Sequence, residues 1–458
     1  MADTKKKKRA SLSSFTILLI ILVALAVITV IMAACGVEGI EGATLSGVLT
    51  APVFGFQDAI GVCLFVMILG GFLGIVTETG ALDAGIAALV HKLKGNELVL
   101  IPILMFIFSI GGTTYGMCEE TVPFYLLLAA TMVAAGFDSL TGAAVVLLGA
   151  GCGVLGSTVN PFAVGVAVDA LSGIGIAVNQ GIIIALGAIL WLTTTIISII
   201  FVMRYAKKVK ADPKFSYSYE DREKFNAQWE LDESGAAARE FGLRKKIVLV
   251  IFVAAFIIMI VGVMNLGWWF PQMAAEFVTL SILVMFIGGT GKDGVGEAKM
   301  VDAFGAGASS LVPVALIIGL ARGVNHVLTE GMISDTMLNA ASNLVAGMSG
   351  PLFVVCLLLI FFVLGFVVPS SSGLAVLAMP IFAPLADTVG IPRWIIVAAY
   401  QFGQYAMLYI APTGLVMATL QMLDMKMSHW FKFVWPMMVF TLVFGAILLS
   451  ICSVVFAV

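Results

Sequence analysis

A set of short, helix-breaking motifs occurs twice in this chain, in the same order and at nearly the same spacing. No other feature limits its fold so strongly. Thr77-Glu78-Thr79-Gly80, with Asp83 beyond it, recurs as Leu328-Thr329-Glu330-Gly331 with Asp335. Gly112-Thr113-Thr114-Tyr115-Gly116 is answered by Pro369-Ser370-Ser371-Ser372-Gly373, and a proline follows each, Pro123 and Pro380. Thr158-Val159-Asn160-Pro161 is answered by Ile410-Ala411-Pro412-Thr413. Gly80 to Gly331 and Pro161 to Pro412 share one offset, so the copies keep register over most of their length. Hydrophobic units interrupted at corresponding places predict paired repeats with a binding site at the interruptions.

Composition excludes a water-soluble fold. The chain is 61% hydrophobic and 11% charged, against roughly a quarter charged in soluble domains. Runs such as 15–35, 181–203, 247–267 and 434–455 are long enough for a hydrocarbon core needing about 20 residues. The chain is therefore read as an all-α polytopic membrane protein. The run at 15–35 follows Lys5-Lys6-Lys7-Lys8-Arg9 but exceeds a signal-peptide core, so an uncleaved first helix is expected. Six cysteines and three histidines lie isolated in apolar surroundings. Neither a disulfide framework nor a metal centre is expected from that spacing.

The basic residues orient the chain. Five of the 24 Lys/Arg lie in residues 5–9 and eleven in residues 204–246, so both segments are placed in the cytoplasm. An even number of crossings must separate them. Helix 15–35 leaves and 59–76 returns, 82–93 forms an interfacial helix, and 98–132 forms a cytoplasmic re-entrant hairpin. A broken helix at 141–171 then leaves and 181–203 returns. Helix 247–267 crosses alone and inverts the frame. The second copy reads as 273–290 inward, 308–328 outward, a second interfacial helix, an external hairpin at 351–386, a broken helix at 394–425, and 434–456. About nine crossings and two hairpins result, with the N-terminus cytoplasmic and the C-terminus external in a plasma (inner) membrane. Of the 24 basic residues, 22 fall on the cytoplasmic side, the exceptions being Arg322 and Arg393. The expected divisions are a basic N-terminus at 1–14, a first repeat at 15–203, a charged linker at 204–246, a connecting helix at 247–267 and an inverted second repeat at 268–458.

Irregular backbone at membrane depth survives only where it faces protein or a water-filled cavity. The four interruptions are turns around Gly111–Gly116 and Pro369–Gly373, and unwound points at Gly156–Pro161 and Ile410–Gly414. Gly112, Thr113, Thr114, Tyr115, Ser157, Thr158, Asn160, Ser370, Ser371, Ser372 and Thr413 are the candidate substrate contacts. Hydroxyls and freed carbonyls suit Na⁺, with Thr158, Asn160, Ser371 and Thr413 as candidate ligands, and freed N–H groups suit a carboxylate. Such hydroxyls also often bond only to their own helix. Glu119 and Glu120 follow the first turn, where a bare carboxylate is expensive and so marks function by default. They would pair with a cationic substrate, carry a coupling proton, or brace the turn. The second copy has Leu374, Ala375 and Val376 there. Arg322 would hold a substrate carboxylate or snorkel to headgroups, and Arg393 is read as snorkelling. Gly151-x-Gly153-x-x-Gly156 matches a dinucleotide fingerprint but lies within an apolar helix with no preceding strand. No P-loop, HExxH or GxSxG motif occurs, so neither an enzyme, an organic cofactor nor a nucleic-acid partner is expected.

The segments GGTTYGMCEETVPFY and VVPSSSGLAVLAMPIFAPLADTVGIPRW resemble the C4-dicarboxylate anaerobic carrier-like family, within its YfcC-type branch of basic amino acid antiporters. The resemblance extends over essentially the whole chain and links it to the wider ion-transporter superfamily. It implies two inverted repeats, paired re-entrant hairpins and an elevator-like motion. It further implies that Thr113, Thr114, Ser370, Ser371 and Ser372 cap the substrate site, with Asn160 and Thr413 at the broken helices. The Ser-Asn-Thr triplets of the sodium/dicarboxylate relatives are missing here. The expectation is a carrier exchanging cationic amino acids such as arginine and ornithine, with Na⁺ or H⁺ as the possible coupling ion and a homodimer as the assembly. A C4-dicarboxylate or other organic-anion carrier is the alternative.

Overall fold

The computed structural model describes residues 14–457 except 38, 93–95, 119–120, 222–241, 267, 269, 291–293, 332–335, 337–339, 341, 346, 369 and 413. The basic N-terminus, Glu119, Glu120, Thr413, Pro369, most of the charged linker and most of the second interfacial helix lie outside the described residues, as does the Tyr115 side chain.

The first half comprises α1 (Ser14–Ala34), α2 (Leu45–Glu78), α3 (Ala81–Lys92), α4 (Leu100–Tyr115), α5 (Val122–Ala134), α6 (Ser139–Leu155), α7 (Val166–Gly173) and α8 (Gln180–Ala211). α9 (Leu243–Leu266) connects to α10 (Phe270–Gly289), α11 (Glu297–Ser310), α12 (Val312–Glu330), α13 (Gly350–Val367), α14 (Ser371–Thr388), α15 (Trp394–Met407), α16 (Gly414–Met422) and α17 (Met427–Val455). Six helices among the described residues are long and apolar enough to cross a membrane. A seventh is added if the two pieces of α2, bent by 58°, form one span. That count leaves out spans built from two shorter pieces, such as α6–α7 and α15–α16.

Packing in one half is answered in the other. α4, α6 and α8 pack mutually, as do α13, α15 and α17. α5 lies on α6 and α14 on α15. Across the halves, α5 meets α16 as α14 meets α7, and α10 meets α2 as α1 meets α12. At the centre α2 crosses α11 and α12 backbone to backbone. A Cβ on Gly55 would fall 2.1 Å from the Gly323 nitrogen, and one on Gly74 would fall 2.4 Å from the Ala303 oxygen. Apolar helices gain little from burial against one another in lipid, so small residues that admit close contact hold them together.

Several boundaries differ from the sequence reading. α2 starts at Leu45, well before 59, because Thr44 caps it by accepting from the Gly47 N–H at 3.0 Å. The helix expected at 308–328 extends back through α11 to Glu297. α8 continues past 203 to Ala211, and the chain beyond it folds back on α6. There the buried Asp138 caps α6, accepting from the Thr141 N–H at 2.9 Å, and also accepts from the Tyr205 hydroxyl at 2.7 Å and the Ser216 hydroxyl at 2.5 Å. The start of the linker is thus a packed anchor.

Helix ends sort onto two faces. On one, Lys210 meets Glu97 at 2.7 Å, Arg244 donates to the Thr290 carbonyl at 2.7 Å, and Lys426 lies 3.8 Å from Glu220. On the other, the Glu41 N–H bonds the Gly331 carbonyl at 3.3 Å and Trp394 meets Phe456 edge to face. Residues 177–179, Asp387 and residues 390–394 line a surface cavity of about 370 Å³ on that second face.

Candidate functional site

The first tip comprises the last turn of α4 and its junction with α5. Gly111 to Tyr115, read from sequence as the break, are still helical; the chain leaves the helix at Gly116, whose φ of +82° favours glycine. The paired glycines serve contact instead. A Cβ on Gly112 would lie 2.3 Å from the Ala150 oxygen, and one on Gly153 would lie 2.1 Å from the Ser109 oxygen. α4 and α6 therefore touch through their backbones.

That contact sets the first tip against the unwound point after α6. The Thr113 hydroxyl donates to the Gly156 carbonyl at 2.7 Å. The Thr158 N–H and hydroxyl both donate to the Thr113 carbonyl, at 2.9 and 3.1 Å. The Asn160 amide donates to the Ser157 hydroxyl at 2.9 Å and accepts from the Phe162 N–H at 2.9 Å. Ser157 itself donates to the Val154 carbonyl. Thr114 bonds back to the Ile110 carbonyl at 2.7 Å. Thr113, Ser157, Thr158 and Asn160 are thus brought together, and each is engaged by the protein's own backbone or side chains. Pro161 then opens a π-type turn to Gly165 before α7 resumes the helix.

The second tip, Val368–Ser370 and the first turn of α14, is held more lightly. Ser370 caps α14, accepting from the Gly373 N–H at 3.2 Å. The Tyr400 hydroxyl on α15 donates to the Ser371 carbonyl at 2.7 Å. Among the described residues, no protein group bonds the hydroxyls of Ser371 and Ser372, which are half-buried.

Two links join the halves at this level. Gln401 on α15 donates its amide to the carbonyls of Leu155 and Ser157, at 3.2 and 2.9 Å, across the first unwound point. Tyr409, at the second unwound point, packs on Gly151 and donates to Cys152 Sγ at 3.3 Å, while Trp430 donates to the Tyr409 carbonyl at 2.7 Å. Sequence reading passed over Gln401 and Gln404. A buried amide inside an apolar helix was the signal available for both. Between Met117, Tyr125, Gly151 and Tyr409 lies an enclosed cavity of about 20 Å³, room for about one water.

Arg322 is not joined to either tip by a described contact. It sits on α12 with its Nε 3.8 Å from Asp58 on α2. Arg393 pairs with Asp387 in two-pronged fashion, at 2.9 and 2.6 Å.

An all-helical membrane protein with interrupted helices meeting at its centre belongs to the class of secondary transporters. The chain is a member of the C4-dicarboxylate anaerobic carrier family, whose sequence model matches residues 39–454. It is 47% identical over 408 residues to an uncharacterized protein of Haemophilus influenzae, covering 89% of this chain and 78% of that one. It is 34% identical over 384 residues to YfcC of Escherichia coli K12, provisionally named a basic amino acid antiporter, covering 82% and 74%. Among solved structures it is similar to MtrF of Neisseria gonorrhoeae, described with a class of antimetabolite efflux pumps, at 18% identity and a TM-score of 0.43 over 97% and 95% of the two chains. YdaH of Alcanivorax borkumensis follows at 14% and 0.39, over 96% and 98%. At those values neither structure bears on the site.

Proposed function

We propose that this transporter exchanges cationic amino acids of the arginine and ornithine type. One observation carries the choice of charge. Arg322 and Arg393, the basic residues outside the cytoplasmic set, each already face a carboxylate, Asp58 and Asp387. The acidic pair Glu119–Glu120 stands in the chain between Gly116 and Thr121, at the first tip. The described residues of the two tips include no Lys or Arg to meet an anionic solute, whereas the sequence offers a cationic one two carboxylates beside the first tip. The name of the Escherichia coli relative supports the same class.

The matched packing of the two halves supports an inverted repeat, with α4–α5 and α13–α14 as re-entrant hairpins and 204–246 as the joining segment. The face carrying Lys210, Arg244 and Lys426 is assigned to the cytoplasm by its positive charge. The N-terminus lies inside and the C-terminus outside, in the inner membrane. Transport proceeds by an elevator-like movement of the hairpins and broken helices against α2 and α12, in a homodimer, with H⁺ or Na⁺ as coupling ion. A second reading, a C4-dicarboxylate carrier, is favoured by the family's description.

Counterflow in proteoliposomes separates the two. Preloaded arginine should drive uptake of labelled arginine, ornithine and lysine, while succinate and fumarate stay outside. Uptake of succinate without a response to arginine would contradict the cationic reading.

A further inference from the structure

Gln401 and Gln404 lie three residues apart on α15, each 1% exposed, with opposite fates. Gln401 spends its amide on the carbonyls at the first unwound point. The Gln404 amide oxygen is sealed from solvent and accepts no hydrogen bond. A buried acceptor left unmade costs stability and calls for an explanation.

Packing does not demand a polar group at that place. Gly153 and Gly403 make the same kind of contact: each is pressed onto the helix before its tip, Gly153 2.1 Å from the Ser109 oxygen and Gly403 2.3 Å from the Leu358 oxygen, measured from an added Cβ. One residue on, the first half has Val154, and the second has Gln404. Valine fills the space in one copy; the other copy carries an unsatisfied amide.

Its position is at the second tip. The Gln404 Cγ lies 3.4 Å from the Cβ position of Gly365, in the last turns of α13. One turn earlier on α15, Tyr400 bonds the Ser371 carbonyl. The hydroxyls of Ser371 and Ser372, half-buried and also without a described protein partner, belong to the same tip. At the second tip the Gln404 amide oxygen and these two hydroxyls are unspent among the described residues, whereas Thr113, Ser157, Thr158 and Asn160 are engaged internally. On α8, behind the first unwound point, Trp191 Nε1 and Thr195 Oγ1 are also unspent.

We propose that the Gln404 amide contacts the transported solute directly, accepting a hydrogen bond from its ammonium or guanidinium group. This rests on the cationic reading above and adds a specificity-determining residue on α15. A site built to hydrogen-bond a solute rejects analogues lacking the matching group, because its own buried polar atoms are then stranded.

The test uses purified full-length protein, with arginine binding measured in Na⁺-free buffer, and thermal stability alongside. Gln404→Met keeps length and removes the amide. It should weaken arginine binding at least about tenfold while the melting temperature stays equal or rises. Gln404→Glu keeps an acceptor and should bind arginine at least as well as the parent. Unchanged arginine binding in Gln404→Met, or a fall in both binding and melting temperature, would overturn the proposal by making the amide structural. Normal arginine binding with altered Na⁺ dependence alone would also overturn it, by placing a coupling ion there. Should the parent take up succinate and not arginine, the substrate class itself falls, an outcome distinct from an indifferent Gln404 variant in an arginine-binding parent.

Discussion

The two tips occupy matching places in the two halves, yet they are built differently. The first is tied to its own broken helix through Thr113, Gly156 and Thr158, and its glycine contact is backbone against backbone. Among the described residues, the second is held by the Tyr400 bond and its own serine cap. On α13, Gly365, about one turn beyond the place that answers Gly112 in packing, would bring an added Cβ to the Met407 methyl at 2.7 Å, where Gly112 would meet a main-chain oxygen. A main-chain atom cannot yield, but the end of a methionine can. A pseudo-symmetric scaffold can therefore hold one tip fixed and leave the other freer to part from the solute.

The largest effect should fall on the charge that only the first tip carries. If Glu119 or Glu120 pairs with a cationic solute, changing it to Gln should cost about 2–5 kcal/mol of binding, or roughly 30-fold to several thousand-fold in affinity. Titration of arginine against both well-folded variants measures this. A proton-coupling role would instead leave exchange active but insensitive to pH. Next come the glycines. Gly112→Ala should destabilise by about 3 kcal/mol, because neither backbone can retreat, while Gly365→Ala should cost less than about 1 kcal/mol. Equal melting temperatures for the two variants would erase the difference between the tips.

Hydroxyls give the smallest and most selective contrast. Thr113→Val strands the Gly156 carbonyl and should lower stability by about 1–2 kcal/mol. Ser371→Ala and Ser372→Ala remove groups with no described protein partner, so stability should stay within about 0.5 kcal/mol while arginine exchange slows. A stability loss in the serine variants would show that those hydroxyls hold the fold.

Sequence alone placed the interruptions and their order, because Gly, Pro and hydroxyl residues inside apolar runs have few other uses. It misjudged what Gly112 does. A helix-breaking residue and a close-packing residue look alike until the partner helix is known, and α6 is the partner. Ser157, Thr158 and Asn160 were legible as a cluster, but not that they spend themselves on one another and on the Thr113 carbonyl. Gln401 and Gln404 lay outside every motif, since their meaning depends on which carbonyls lie opposite. Arg322 could be named but not assigned, because Asp58 lies far away in the chain and meets it only through the α2–α12 crossing. Helix ends were the least readable: Thr44 and Asp138 cap helices at positions the hydropathy pattern does not mark.

Hydrogen–deuterium exchange on the purified protein in lipid nanodiscs, with and without saturating arginine, tests the difference between the tips most directly. Amides of residues 110–116 should exchange slowly in both conditions. Those of residues 366–373 should exchange faster without arginine and become protected with it. Equal exchange at both tips, or protection confined to the first, would contradict the assignment of the second tip as the part that closes on the solute.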